Sequence, residues 1–189
     1  HSTSSAASDV YKRQIQGRGF RGFNGITEIN EFDATSGITT YTDFKQTFPF
    51  SSAVEAQYRF EGIDVDVDDS IEQSLALTKS TNQWLENPSQ NAGWKAQGVY
   101  QLYNKQAYTI NRTPSSDASG KGAKISESWV KVPFNSDIDQ YGNLLNKETE
   151  IKDDYGSYVT VEHGDYSLAT DDWPNRYESR TVTLSLIHI

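Results

Sequence analysis

The chain has 189 residues and a formal net charge of -9 at pH 7, which argues against nucleic acid as a partner because proteins bind phosphates with lysine and arginine. It contains no cysteine, and this excludes disulfides, thiolate nucleophiles and zinc–thiolate sites. No stretch approaches the ~20 consecutive apolar residues of a membrane-spanning helix.

The two ends of the chain resemble a translated sequencing adapter. Ser4 to Gln14 reads SSAASDVYKRQ, and Leu184 to Ile189 reads LSLIHI. Back-translated, the two stretches are similar to complementary ends of a transposase adapter read in frame. Because processing scars are set aside before a fold is predicted, we expect residues 1–14 and 184–189 to be non-native tails. The natural part is then expected to be an internal fragment of a longer protein.

The first predicted element is a β-hairpin. Ile26–Asn30 and Thr39–Phe44 alternate apolar and polar residues, and the turn-forming stretch Asp33–Gly37 lies between them, which is the pattern of two strands joined by a turn. Phe48-Pro49-Phe50 ends the pair, since proline cannot donate a ladder hydrogen bond. A further strand is predicted over Ser52–Phe60.

The middle of the chain continues the β pattern, with one ambiguous segment. Ser70–Thr81 is predicted as a strand, but a short helix over Ser70–Lys79 fits as well, because its apolar residues do not choose between the two periods. Gly98–Thr109 and Ile125–Val132 alternate and are predicted strands. The polar, glycine-containing stretch Pro114–Gly122 between them is a surface loop.

The last third contains a second clear hairpin. Leu144–Ile151 and Ser157–His163 flank Asp153-Asp154-Tyr155-Gly156, a sequence that favours a tight turn between antiparallel strands. Strands spaced at roughly ten residues, without a convincing helix of three turns, predict an all-β fold of antiparallel hairpins. A mean hydropathy of -0.70 favours a thin structure, either a single sheet or two layers.

Two stretches resemble the Rhs/YD-repeat family. Gly17–Phe50, which opens GRGFRGF and continues into two threonine-rich strands, is similar to the segment upstream of the core in members of the SpvB type and in the B subunit of insecticidal toxin complexes. Ile138–Thr183 looks like a repeat unit, with an Asp-aromatic-Gly-Asn turn, a hairpin and an Asp-Trp-x-x-Arg segment. The resemblance divides the natural part into a β-rich segment, 15–137, and a repeat-like hairpin unit, 138–183.

This resemblance implies a structural role rather than an enzymatic one. Members of the family build their hairpins into a hollow β shell around a C-terminal toxin, so the chain would be a shell fragment with open edges. The implied partners are the protein's own toxin domain and other toxin-complex subunits, the location is secreted or on a bacterial surface, and no cofactor is implied. The structural residues that the resemblance assigns are Asp139, Tyr141, Gly142, Asn143, Trp173 and Arg176.

The turn DQYGN also has a physical rationale of its own. An aspartate side chain accepts backbone N–H groups in a tight turn, and glycine adopts the positive φ that such turns need. We therefore expect Asp139 and Gly142 to fix the register of the hairpin that follows. The sequence departs from the family at Ile138, where tyrosine is usual, and at Pro174.

An acidic stretch after the third predicted strand has the spacing of a calcium loop. Asp64, Asp66 and Asp68 stand at its first, third and fifth positions, but the sixth and twelfth positions lack the required glycine and glutamate. The alternative is a strand with Val65 and Val67 directed inward and the aspartates in water.

One histidine lies within the natural part of the chain. His163 stands beside Glu162 and near Asp165, which suits a general base, with Ser157, Tyr166 and Ser167 close in sequence. The alternative, a solvated residue near the end of a strand, is the favoured interpretation.

The aromatic residues offer a second function. Exposed tryptophans stack on sugars, so a secreted carbohydrate-binding β module is the alternative to a shell fragment. In a shell, the same rings would form the inner wall and cross-strand pairs. The four tryptophans are Trp84, Trp94, Trp129 and Trp173.

Overall fold

The described residues form one antiparallel sheet of nine strands. The computed structural model describes residues 22–33, 36–114, 122–166 and 177–187, and the order of the strands in the sheet is their order in the sequence. The prediction of an all-β fold built from antiparallel hairpins is confirmed. The strands are β1 (Gly25–Glu31), β2 (Gly37–Phe44), β3 (Val54–Glu61), β4 (Thr78–Glu86), β5 (Leu102–Arg112), β6 (Lys124–Lys131), β7 (Asn146–Asp153), β8 (Gly156–Tyr166) and β9 (Tyr177–Ile187).

The helical elements are short: α1 covers Ser70–Leu75, α2 covers Ala92–Ala96, and a 3-10 turn covers Asn135–Asp137. Among the described residues, none of these is long and apolar enough to cross a membrane. The ambiguous segment is therefore a helix followed by a strand, and its prediction as one continuous strand was wrong. The helix brings Ala76, which is 2% exposed, onto the sheet, and this long-range contact decides between two locally similar patterns.

One face of the sheet carries a ladder of short polar side chains. Between β4 and β5, the hydroxyls of Ser80 and Thr109 lie 2.9 Å apart, and Thr78 donates to Asn111 at 3.1 Å. Asn111 in turn donates to Ser126 of β6 at 3.1 Å. Cross-strand pairs of this kind support a sheet without apolar burial, so this face needs no second layer.

The opposite face carries the main apolar cluster. Alternation along β2 and β3 directs Tyr41, Tyr58 and Phe60 to this side, where the centroids of adjacent rings lie 6.3 Å and 6.1 Å apart. Burial raises the pKa of both tyrosines, with the Asp43 carboxylate adding to the effect. The loop between β3 and α1 covers these rings with two partly buried side chains, Val65 and Val67.

A second, smaller cluster lies beside the C-terminal end of β4 and the N-terminal end of β5. Tyr103, Val132 and Ile138 are between 2% and 5% exposed, and Leu85 and Leu144 pack against them. Val132 and Ile138 belong to the connection between β6 and β7. The cluster therefore fixes that connection to the sheet.

Strand β9 runs from Tyr177 into the segment that resembles the adapter. Thr160 of β8 pairs with Leu184, and the pairing continues to Ser157 and Ile187. Residues 184–187, which we expect to be adapter-derived, form the end of this strand. Their alternation of polar and apolar side chains fits a strand whatever its source.

Truncating Phe60 tests the main cluster. We expect Phe60→Ala to lower the free energy of unfolding by ~3–5 kcal/mol, because the deletion leaves a cavity among rings that cannot close it. Phe60 is 3% exposed, whereas Phe32 is 72% exposed, so Phe32→Ala is the matched control and should cost less than ~0.5 kcal/mol. Urea unfolding followed by circular dichroism measures both, and equal losses would contradict the proposed core.

Candidate functional site: the Asp139–Asn143 turn

The sequence DQYGN forms a closed turn between the 3-10 turn and β7. Oδ1 of Asp139 accepts the backbone N–H groups of Tyr141 and Asn143, each at 2.9 Å, and Oδ2 accepts Nδ2 of Asn143 at 2.8 Å. The backbone N–H of Asp139 also donates to the carbonyl of Asn143 at 3.0 Å. The Asp139 carboxylate thus accepts three hydrogen bonds from within the turn.

Gly142 is required by the backbone rather than by space. Its φ is +90°, a conformation that residues with a Cβ rarely adopt. An added Cβ would come no closer than 3.7 Å to the nearest side-chain atom, on Gln101. The constraint at this position is therefore conformational.

The turn is anchored to the loop between β4 and β5. Nδ2 of Asn87 donates to the carbonyl of Asp139 at 2.7 Å and to Oε1 of Gln101 at 2.8 Å. Asn87 is 5% exposed. The turn also contacts α2 of this loop, where the ring centroids of Tyr141 and Trp94 lie 6.1 Å apart. Sequence reasoning missed Asn87: the Asn-Pro dipeptide indicates a turn, but nothing local indicates a contact 52 residues away.

A chain of polar contacts leads from the same connection to His163. Asp137 is 5% exposed, and its Oδ1 accepts Nδ2 of Asn146 at 2.6 Å. Oδ1 of Asn146 lies 2.8 Å from Nδ1 of His163, whose Nε2 lies 3.2 Å from Asp165. The histidine therefore bridges β7 and a neighbouring carboxylate on β8.

This arrangement lacks the geometry of an activated nucleophile. The hydroxyl of Ser179 donates to Asp165 at 2.6 Å rather than to the imidazole, and Ser157 donates to Glu150. The Ser179 hydroxyl first, and then His163, lower the pKa of Asp165 below its usual value. Tyr166 ends β8, and Ser167 lies outside the described residues. The His163 side chain is 50% exposed, as a solvated strand residue is.

A small surface depression is lined in part by Gly164 and His163 of β8. Its volume is ≈ 70 Å³, well below the roughly 300–1,000 Å³ of a pocket for a small-molecule ligand. Lys147 and Arg180 both pair with Glu162, at 3.1 Å and 3.0 Å. These contacts, that of Lys147 foremost, lower the pKa of Glu162, so both cations at this site share one carboxylate.

The acidic stretch after β3 is a loop and not a strand. Asp66 accepts the backbone N–H of Asp68 at 3.2 Å, and the intervening valines pack on the aromatic cluster. The alternative interpretation was thus wrong about the strand and right about the direction of the valines. In the ranges that the structure describes, no three His, Asp or Glu side chains are grouped to hold a metal ion, and this includes Asp64, Asp66 and Asp68.

The described tryptophans contact three different parts of the chain. Nε1 of Trp84 donates to the carbonyl of Val54 at 2.8 Å, and Trp94 lies beside the turn. Trp129 contacts Tyr108, at 5.0 Å between ring centroids, and the ammonium of Lys152, at 4.8 Å. Packing and cross-strand pairing account for these contacts. Trp173 and Arg176 lie outside the described residues.

Comparison with known proteins does not identify the chain. No family model matches it, no curated protein matches it, and no solved structure matches it. The resemblance to Rhs/YD-repeat proteins therefore stays a prediction.

Replacing Asp139 tests whether its carboxylate organises the turn. We expect Asp139→Ala to lower the free energy of unfolding by ~2–4 kcal/mol, because two backbone N–H groups and one amide lose a charged acceptor. Asp139→Asn keeps one acceptor oxygen and should cost less. Asp154, exposed in the turn between β7 and β8, supplies the control Asp154→Ala. Urea unfolding compares the three variants, and a loss no larger than that of the control would refute this role.

Proposed function

We propose that the chain is a non-enzymatic, structural part of a large Rhs/YD-repeat, toxin-complex-like protein whose β shell encloses and delivers a C-terminal toxin. The observation that carries this proposal is the order of the sheet: nine strands follow one another without a crossover. Such a meander grows by adding hairpins at its ends, as repeat proteins grow by adding units. Among the described residues, no strand pairs with the outer side of β1 or of β9.

The connections between strands support the same proposal. Asp33 accepts the backbone N–H of Ser36 at 2.8 Å, and Asp153 accepts those of Tyr155 and Gly156 at 2.8 Å and 3.1 Å. Together with the Asp139 turn, three connections use an aspartate carboxylate in the same way. Register set by turns suits a long sheet, because a slip of one residue would exchange its two faces.

A non-enzymatic role is supported by the surroundings of the candidate catalytic groups. His163 is half-exposed, and its ring nitrogens contact Asn146 and Asp165 rather than a hydroxyl; the depression beside it has a volume of only ≈ 70 Å³. In the proposed protein the partners are the toxin domain and other toxin-complex subunits. The proposed location is secreted or on the surface of a bacterium.

A second candidate function is carbohydrate binding by a secreted β module. The observation that favours it is the Tyr108–Trp129 pair, which is only partly buried on the sheet face. Glu127 and Lys152 lie beside these rings and could bind hydroxyl groups. One contact argues against sugar binding: the Lys152 ammonium lies over the Trp129 ring, 4.8 Å from its centroid, where a sugar would have to stack.

A sugar titration separates the two candidates. If the sheet is structural, tryptophan fluorescence should not respond to soluble oligosaccharides, because the rings are engaged within the sheet. If the chain is a carbohydrate-binding module, the fluorescence should change and saturate, and Trp129→Phe should abolish the change. Trp84→Phe is the matched control, because the Trp84 indole N–H is hydrogen-bonded to the Val54 carbonyl within the sheet.

The gene around this segment tests the shell proposal directly. Long-read sequencing of the source DNA through both ends should show the reading frame continuing into further Asp-aromatic-Gly-Asn repeats and a divergent C-terminal domain. Electron microscopy of that complete protein should then show a hollow shell that contains this sheet. A frame that closes soon after Thr183, beside a signal peptide and a glycosidase, would refute the shell and support the binding module.

A further inference from the structure

The sequence contains one Asn-Gly dipeptide, Asn24-Gly25, and it lies where the chain enters β1. Asparagine is a chemically labile residue, because the backbone nitrogen of the following residue can attack its side-chain carbonyl carbon. A glycine that follows favours this attack, since no Cβ hinders the approach and the backbone adopts more conformations. Asn24 is therefore the most reactive asparagine that the sequence offers.

The structure leaves this dipeptide open to the reaction. Asn24 is exposed, in the bend that precedes β1. The backbone N–H of Phe44 donates to the carbonyl of Asn24 at 2.8 Å, so these two residues form a hydrogen-bonded pair. Because such pairs alternate along an antiparallel ladder, the next pair, Gly25 with Asp43, exchanges no backbone hydrogen bonds. The Gly25 nitrogen is therefore not held by β2.

The fold requires glycine at this position. Gly25 lies against the ring of Tyr41, and an added Cβ would come within 2.5 Å of Cε2 and 2.6 Å of the phenolic oxygen. Tyr41 is 8% exposed and belongs to the aromatic cluster with Tyr58 and Phe60. A side chain at residue 25 would displace this ring, so the packing of the aromatic cluster requires the glycine that makes Asn24 reactive.

We propose that Asn24 is a site of spontaneous covalent modification to isoaspartate and aspartate, and that the isoaspartate form releases the start of β1 from β2. The Gly25 nitrogen attacks Cγ of Asn24. The N–Cγ bond forms, the Cγ–Nδ2 bond breaks, and ammonia leaves with the proton of the former N–H. Water then opens the resulting succinimide ring: its hydroxyl bonds to one ring carbonyl carbon, and its other proton returns to the Gly25 nitrogen. Opening at Cγ gives aspartate, and opening at the main-chain carbon gives isoaspartate.

Isoaspartate alters the pairing of β1 with β2. The chain then runs through Cβ and Cγ of residue 24, so the backbone gains one carbon and the former main-chain carbonyl becomes a free carboxylate. The Phe44 N–H loses its acceptor in the ladder, and the added length shifts Gly25 against Tyr41, where the fit is already close. The new charge also lies near Asp43, whose pKa is raised by burial and then by the Glu55 carboxylate.

This inference goes beyond the proposed function, because it rests on the chemistry of one dipeptide and on its contacts. A shell fragment and a carbohydrate-binding module would be modified in the same way. The tests on the gene and on sugar binding therefore succeed or fail independently of this one.

Incubation of the folded chain in mildly alkaline buffer, followed by peptide mass spectrometry, tests the modification. We expect residue 24 to convert at least tenfold faster than Asn135, which is also exposed but is followed by Ser136. Fragmentation spectra distinguish isoaspartate from aspartate, and both should accumulate at residue 24 as ammonia is released. Conversion of Asn24 no faster than that of Asn135 would overturn the proposal.

Hydrogen exchange during the same incubation tests the effect on β1. The Phe44 amide should lose protection in step with the formation of isoaspartate. The Gly164 amide, which donates to the Leu145 carbonyl at 2.9 Å in another part of the sheet, should keep its protection. Asn24→Gln is the matched control, because it preserves Gly25 and its fit against Tyr41 while its longer side chain cyclises less readily.

In Asn24→Gln the Phe44 amide should remain protected throughout the incubation. Accumulation of isoaspartate with an unchanged Phe44 amide would overturn the proposed release of β1. An equal loss of protection in Asn24→Gln would overturn it as well, since the loss would then not depend on the modification.

Discussion

The backbone hydrogen-bond ladder between consecutive strands is the interaction on which the rest of this structure depends. In the part of the chain that the structure describes, two small groups of apolar side chains are buried, one around Tyr58 and Phe60 and one around Tyr103 and Ile138. A sheet with so little apolar burial cannot correct a misplaced strand by packing alone. Its register has to come from the connections, and three of them use an aspartate carboxylate to hold the backbone of the turn.

The Asp139 turn shows how local and distant interactions combine. Within the turn, the carboxylate and Gly142 satisfy a backbone that would otherwise be strained or left without hydrogen bonds. From outside, Asn87 fixes the carbonyl of Asp139, and the bridge between Ile138 and Leu144 closes the turn at its base. The smaller apolar cluster lies directly beneath, so a change in the turn is transmitted to buried residues.

The sequence allowed the fold class to be predicted because most of its information is local. The β7–β8 hairpin follows from two alternating runs and the turn at Asp153, all within twenty-odd residues. Two features were not predictable in this way. The helix Ser70–Leu75 depends on the packing of Ala76 against the aromatic cluster of the sheet. The contact of Asn87 with Asp139 joins residues far apart in the chain, and neither hydrophobic periodicity nor turn-forming residues indicate such a contact.

A sheet one layer thick limits what the chain can do. A pocket that excludes water from a substrate needs walls on several sides, and a single sheet offers two faces and two edges instead. Its faces bind ligands through side chains such as the Tyr108–Trp129 pair, and its edges bind strands through the backbone. Side chains of the polar face hydrogen-bond to one another across strands, and the loop after β3 packs on the aromatic cluster of the other face. Among the described residues, no strand pairs with the outer side of β1 or β9. The proposed role in assembly, with further hairpins joined to this sheet, is the one that fits this strand order.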